Sequence, residues 1–467
     1  IVIGNCSMSL APVRPDSREN LIGWFGSVED MEGGLLRRII SFEWETFGEY
    51  LAELRRGLGP NVGAFLGHAV LRYYVMGDEA QRRAATREEV AHMVRILRDA
   101  LAKGALGLSF TFNHLDNAGE DLPCRYADRS EIAALMKEVA AAGRMVEVAP
   151  NLRPGADPLE QFELFGALAL ETGARCTLSP VLHLPSRGNL HERMIERLDY
   201  WRAQGAELFA QTQVRPLDIV LSLAKGSGLF GGLPTWRRIM DQPLDTRMAL
   251  LADPSNRETL RNELEGMSGV FARLVVKKVT SPGNERLQGC ELGKLAQAER
   301  RHLADVLLDI ALADRLETVF SLTDFMHADV NVVHELITHP GMHVGSADAG
   351  AHINAFAGAG DTTYLLEKFV RIEKKMSLEA AIRLITSDLA RDWRIPDRGK
   401  VAVGQLADLV IFDPETIARG PEIWVEDLPG GYGRYVRHAT GISHVIVNGV
   451  EIFGEGRYAD ARPGRLL

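Results

Sequence analysis

The sequence predicts an α/β protein: a (β/α)8 barrel of the TIM type lacking its first strand, followed by a small β-domain. Three observations carry this. Short apolar, β-branched runs with few charges alternate with helical segments, the pattern of parallel strands buried on both faces. Seven such runs occur, where a closed barrel needs eight. From about residue 396 helical periodicity stops and short β segments take over. An open doubly wound sheet is the alternative, because periodicity alone does not show closure.

The candidate strands are 1–6 (IVIGNC), 61–68 (NVGAFLGH), 105–111 (ALGLSFT), 145–150 (MVEVAP), 176–181 (CTLSPV), 207–214 (ELFAQTQV) and 343–348 (HVGSAD). The chain opens at Ile1 inside an apolar run, so the missing strand is expected upstream. Between the runs the period changes. From Thr86 to Lys103, Val90, Met93, Val94, Leu97 and Leu101 share one face. Thr86 and Glu89 make a capping box there, and Gly104 ends the helix. Asp128 with Glu131 opens the next helix, and Asp157 with Pro158 another. Further helices are expected near 190–204, 296–315, 363–375 and 377–387.

Two regions break the rhythm. Residues 215–342 separate consecutive barrel strands, and an insertion after a strand falls on the face where barrels do chemistry, so a lid is expected. Residues 1–395 then form the barrel with this insertion, and 396–467 a small β-domain. In that domain KVAVG, ADLVIFD and SHVIVNGVEIF read as strands, the last with a hairpin turn at Asn448-Gly449.

Composition narrows the function. With 46% hydrophobic and 25% charged residues the chain is an ordinary globular protein rather than a disordered one. A net charge of −10 argues against a nucleic-acid partner. No apolar run approaches the roughly 20 residues needed to cross a bilayer. Four Cys residues without a CxxC suggest a reducing, cytoplasmic setting.

Candidate chemistry gathers at strand ends. Cys6 closes the first run and offers a thiolate to a metal, or is a buried small hydrophobe. Asp348 closes the last run, placed to bind a metal and carry a proton, or to cap a turn in GSADAG. His68 and Arg72 follow the second strand, and Arg215 follows the sixth. Arg at such positions grips a planar carboxylate with two parallel hydrogen bonds, and reads equally as an internal salt bridge. Glu147, Asn151, His183, Gln211 and Gln213 also lie at or past strand ends. The spacing of His327, His334, His339 and His343 fits neither HExxH nor HxH and favours scattered surface and interface histidines. GSGLFGGL at 226–233 lacks a following Lys-Ser/Thr, so a loop is expected rather than a phosphate cradle.

GNCSMSLAP at 4–12, LGHAVLR at 66–72, YVMG at 74–77 and GALGLSF at 104–110 resemble consecutive motifs of the N-acyl-D-amino-acid deacylases, or D-aminoacylases, of the amidohydrolase superfamily. DRG at 397–399, GQLADLVIFDP at 404–414, GISHVIVNG at 441–449 and PGRLL at 463–467 agree in order. The resemblance implies a metal-dependent barrel with a small β-sandwich built from both chain ends. It implies zinc, one or two ions, with Cys6 as a ligand in a GNCG-like motif where Ser7 replaces Gly. Asp348 corresponds to the catalytic Asp of the last strand.

The family's HxH of the first strand is absent. The central strands read MVEVAPN and TLSPVLH, where the better-known members carry metal-binding His in THxR-like and SH motifs. Glu147 and His183 are the further ligand candidates. GSADAGAH followed by DTTYLL resembles a divergent branch of the family. The expected reaction is hydrolysis of a linear amide in an N-acyl amino acid by metal-activated water, with Asp348 as general acid–base. Arg72, Arg215, His68 and His352 are the substrate-binding candidates. Two alternatives remain: a non-catalytic fragment whose open barrel edge favours self-association into homo-oligomers, and a cyclic amidase or other C–N hydrolase on the same fold.

Overall fold

The computed structural model describes residues 1–467 apart from Pro154, Gly226, Ser227 and Gly231. Seven strands form one parallel sheet in chain order: Val2–Ile3, Gly63–Gly67, Gly107–Thr111, Met145–Ala149, Arg175–Leu178, Leu208–Thr212 and Met342–Val344. All seven sequence-predicted strands are present, with trimmed ends. The first pairs with the second at Val2–Gly63, and the seventh with the sixth at Met342–Ala210. Among the described residues the first and seventh strands do not pair with each other, so the sheet is curled rather than closed.

Helices cover the outside of this sheet, and their ends are those the caps dictate. Helix Arg87–Ala102 begins with the Thr86–Glu89 capping box, and Gly104 beyond it takes φ +109. Helix Arg129–Ala141 begins where Asp128 accepts the Glu131 N–H. Apolar faces from these helices meet the inward and outward strand residues in one large core containing Leu66, Leu97, Leu108, Phe110, Leu135, Val146 and Phe165. The predicted 296–315 helix is two, Leu292–Glu299 and Leu303–Ala313, because Arg300 takes a left-handed conformation between them.

Between the sixth and seventh strands the chain builds a separate antiparallel sheet. Leu217–Leu221 and Val275–Lys278 flank Val319–Met326, with helices packed on it around Trp236, Leu260, Phe271, Leu307 and Phe320. Part of the glycine-rich 226–233 segment lies outside the described residues. Beyond residue 396, Leu409–Phe412, Ile442–Val447, Val450–Gly454 and Arg457–Tyr458 form one sheet, and Ala418–Leu428 with Tyr432–Thr440 a long hairpin. Asn448 (φ 47) and Gly449 (φ 83) make the turn of the predicted hairpin. KVAVG is not a strand: Val401 and Val403 stand fully out in solvent. Three consecutive apolar residues without a pairing partner do not hold an extended ladder.

Candidate active site

Parallel pairing brings the C-terminal ends of all seven strands to one mouth, where (β/α) barrels carry their chemistry. Two loops at this mouth hold the relevant side chains.

The first loop leaves Ile3 through Gly4, whose φ is +82 and where a Cβ would lie 2.5 Å from Phe65 O. Only glycine fits such an approach. Cys6 and Ser7 follow with φ 53 and 64. Ser109 Oγ donates to Gly4 O at 2.6 Å, and the Cys6 N–H donates to Glu147 Oε2 at 3.2 Å. Glu147 stands mid-strand beside Ser109 and Thr177 and is fully buried. Its other oxygen, Oε1, has no hydrogen-bond partner.

The second loop spans 345–360. The sheet ends at Val344, so Asp348 lies beyond the predicted strand, in a loop where Ser346, Asp348 and His352 all have positive φ (59, 51 and 51). This loop is clamped from several sides. Arg215 donates from Nη2 to Ala347 O (3.0 Å) and from Nε to Asp361 Oδ1 (2.7 Å). Arg419 donates to Ala357 O and Ala359 O, and Glu422 Oε2 accepts the Ala357 N–H at 2.9 Å. The His352 N–H donates to Glu29 O at 2.8 Å, tying this loop to the end of helix Arg18–Val28.

Charge links the two loops. Burial pushes the Cys6 thiol well above its usual value, with Glu147, Glu29 and Asp348 adding to the effect. Burial likewise raises Glu147, reinforced by Asp348, and raises Glu29 to about 7. Asp348 is exposed on its loop, and its charge is met by His352 and Arg215. His114, whose Nδ1 meets Thr111 Oγ1 at 2.7 Å, is pushed down to about 4 by burial, with His352 and Arg153 adding. The Cys6 thiol and the Glu147 carboxyl thus sit in poorly solvated surroundings, where the Asp348 charge makes both harder to ionise.

The other predicted residues are placed differently. Arg72 and His68 are fully buried and committed to Glu131: Arg72 Nη1 to Oε2 at 2.5 Å and His68 Nε2 to Oε1 at 2.8 Å. The carboxylate that Arg72 grips is therefore the chain's own, and the same holds for Arg215 with Asp361, because a buried guanidinium requires an internal counter-charge. His183 lies past the fifth strand with its N–H on His327 Nδ1 (3.1 Å) and its ring 5.0 Å from that of His191, and it is not joined to the Cys6–Glu147–Asp348 group. His327 and His343 are buried rather than superficial. His343 is held by Asp392 (3.1 Å) and stacks on Phe209. Glu29 and His114 were not singled out from the sequence. His114 follows the third strand closely and strand-end reasoning reaches it, whereas Glu29 in VED carries no motif.

The curled parallel sheet, with Cys6 and Asp348 beyond its C-terminal strand ends and Glu147 within its fourth strand, defines a barrel enzyme of the (β/α) class. Residues 37–453 match the Amidohydrolase family, and the chain belongs to that family; it is a hydrolase of carbon–nitrogen bonds other than peptide bonds. It is 26% identical over 474 residues to an N-acyl-D-glutamate deacylase of Alcaligenes xylosoxydans xylosoxydans, covering 100% of this chain and 79% of that protein. An uncharacterized Mycobacterium tuberculosis protein is 25% identical over 515 residues, with 100% and 82% covered. Among solved structures, an N-acyl-D-glutamate deacylase from Bordetella bronchiseptica, complexed with zinc and a phosphonate inhibitor, superposes with a TM-score of 0.62 at 23% identity, covering 100% and 81%. A D-aminoacylase gives 0.61 at 22%, covering 100% and 82%. No helix among the described residues is long and apolar enough to cross a membrane.

Proposed function

We propose that this chain hydrolyses a linear N-acyl amino acid or a closely related amide, with Asp348 as general acid–base and Cys6, Glu147 and Asp348 as the residues that would hold zinc. One observation carries the reading: the buried, unpartnered Oε1 of Glu147, beside the Cys6 turn, where burial and the Asp348 charge hold both the acid and the thiol toward neutrality. A buried carboxylate oxygen without a donor is costly, and a divalent cation is the chemistry that removes the penalty. Among the described residues no group of three or more His, Cys, Asp or Glu side chains lies close enough to form a metal cluster, so the fit rests on donor kind: one thiolate and carboxylate oxygens, which zinc accepts. The relatives named for deacylation support the amide substrate.

When bound, zinc supplies a Lewis acid for the scissile carbonyl and lowers the pKa of a coordinated water from about 15.7 toward 7. The chain's own residues do the rest. The Asp348 carboxylate takes the proton from the attacking water oxygen and returns it to the departing amine nitrogen. Glu147 holds the Cys6 N–H and so fixes the thiol-bearing turn. On this reading 1–395 is the catalytic barrel, its 215–342 insertion covers the mouth, and 396–467 is the small β-domain whose hairpin braces the Asp348 loop. Asp348→Asn is expected to abolish hydrolysis of N-acyl-D-amino acids while keeping the wild-type unfolding transition. Retained turnover would remove Asp348 from the reaction.

A further inference from the structure

Behind the Cys6–Ser7 turn lies a file of buried polar groups that the proposed reaction does not use. Arg72 Nη1 donates to Glu131 Oε2 (2.5 Å) and His68 Nε2 meets Glu131 Oε1 (2.8 Å). His68 Nδ1 is 3.2 Å from Cys124 Sγ. Cys124 Sγ is 3.1 Å from Ser7 Oγ, which also accepts the Ala69 N–H at 2.7 Å. All five side chains are at most 1% exposed. They come from the turn after the first strand, helix His68–Met76, the short turn Pro123–Tyr126 and helix Arg129–Ala141.

Packing alone does not call for such a file. Apolar residues of similar volume fill a buried space at least as well as ions, whose desolvation costs several kcal/mol each. The charges are mutually arranged, however. Cys124 and Glu131 outweigh burial and push His68 up to about 9, and His68 brings Cys124 below its usual value against burial. A sulfur beside an imidazolium is a strong acceptor for a hydroxyl hydrogen. That hydroxyl belongs to Ser7, next to Cys6 in a stretch where both residues hold positive φ. A glycine at position 7 makes neither of the Ser7 side-chain hydrogen bonds.

We propose that Cys124, backed by His68, Glu131 and Arg72, is a positioning residue for Cys6: it orients the Ser7 hydroxyl, pins the left-handed Cys6–Ser7 turn and so aims the Cys6 thiol into the mouth. The proposal rests on the reading of Cys6 as a site residue, and its test does not need bound metal. Cys6 and Cys290 are both half-buried free thiols, so iodoacetamide labelling of the intact protein, read by peptide mass spectrometry, gives the rate at Cys6 with Cys290 as internal reference.

Ser7→Ala and Cys124→Ala are expected to change the Cys6 rate about tenfold, the factor one lost hydrogen bond is worth, with Cys290 unchanged. Cys124→Ser, which keeps a hydroxyl acceptor, is expected within about threefold of wild type. In the active enzyme Ser7→Ala should lower kcat about tenfold with KM unchanged, and shift the sulfur-to-cobalt charge-transfer band of the cobalt-loaded protein. An unchanged Cys6 rate in Ser7→Ala overturns the proposal, as does a parallel change at Cys290, which signals general loosening. If Cys124→Ala does not fold, Ser7→Ala decides alone, because it leaves the buried charges intact. A changed Cys6 rate without any cobalt band in wild type supports the positioning role and removes the metal reading.

Discussion

Lowering the pH should act on the protein through His327. The ring is buried, its Nε2–H donates to Gln213 O at 2.7 Å, and its Nδ1 accepts the His183 N–H at 3.1 Å. Both nitrogens are therefore used by the neutral ring, and a second proton on Nδ1 would confront the His183 N–H. Burial pushes the pKa down to about 4, with His183, His191 and Arg215 adding and the Gln213 carbonyl opposing. Because the folded value lies below the unfolded one near 6.5, the unfolded chain takes up the proton first on acidification. Stability is fully present above about pH 6.5 and is lost progressively toward pH 4, by roughly 3 kcal/mol from this ring. Urea unfolding followed by tryptophan fluorescence from pH 7.5 to 4.5 measures the loss. His327→Gln keeps an amide donor and acceptor but does not titrate, so its curve should be flatter than wild type by most of that amount. His114 titrates in the same window and cancels in the difference. Parallel curves for wild type and His327→Gln would refute the reasoning.

Removing the guanidinium in Arg215→Met leaves Asp361 buried with neither oxygen paired. It should cost about 3–5 kcal/mol, read as a urea midpoint shift of roughly 1–1.5 M, and Arg215→Met with Asp361→Leu should lie closer to wild type than the single change. Gly67→Ala would set a Cβ 2.0 Å from Ser7 O; overpacking of this kind should cost about 1–3 kcal/mol and lower activity by displacing the Cys6 turn, which circular dichroism melting and turnover together report. Glu147→Gln removes a buried acid whose ionisation burial opposes, so at pH 8 it should leave the melting temperature unchanged or higher while lowering bound zinc measured by elemental analysis. A lower melting temperature with zinc retained would contradict that account.

The elements legible in the sequence are those with a local physical signature. Seven short runs with few charges became seven parallel strands, and the Thr86–Glu89 and Asp128–Glu131 caps set helix starts, because capping and two-sided burial are decided within a few residues. What the sequence did not disclose depends on partners far along the chain. Arg72 reads equally as a substrate clamp or an internal salt bridge until Glu131 is seen beside it, and Arg215 until Asp361 is, 146 residues away. His327 looked superficial because its partners, His183 and Gln213, lie more than a hundred residues earlier. The strand ending in Asp348 was drawn too long because GSAD alternates without supplying a neighbour to pair with. Strand ends supplied the candidates; which of their polar groups meet was a question of tertiary packing.

The two loops at the mouth share a further property that bears on function. Cys6, Ser7, Ser346, Asp348 and His352 all hold positive φ, at about 1–3 kcal/mol apiece for residues that are not glycine. Such conformations persist only where surrounding contacts over-determine them. Here those contacts can be named: Ser109 and Glu147 on the Cys6 turn, and Arg215, Arg419 and Glu422 on the Asp348 loop. The clamping groups stand on the sheet, on the segments that follow it and on the hairpin of residues 418–440, while the strained residues carry the thiol and the acid. The stability of the flanking elements is thus converted into fixed directions for Cys6 and Asp348. A relaxed version of either loop, with these residues returned to ordinary backbone angles, would be easier to fold and would no longer hold the two side chains in those directions.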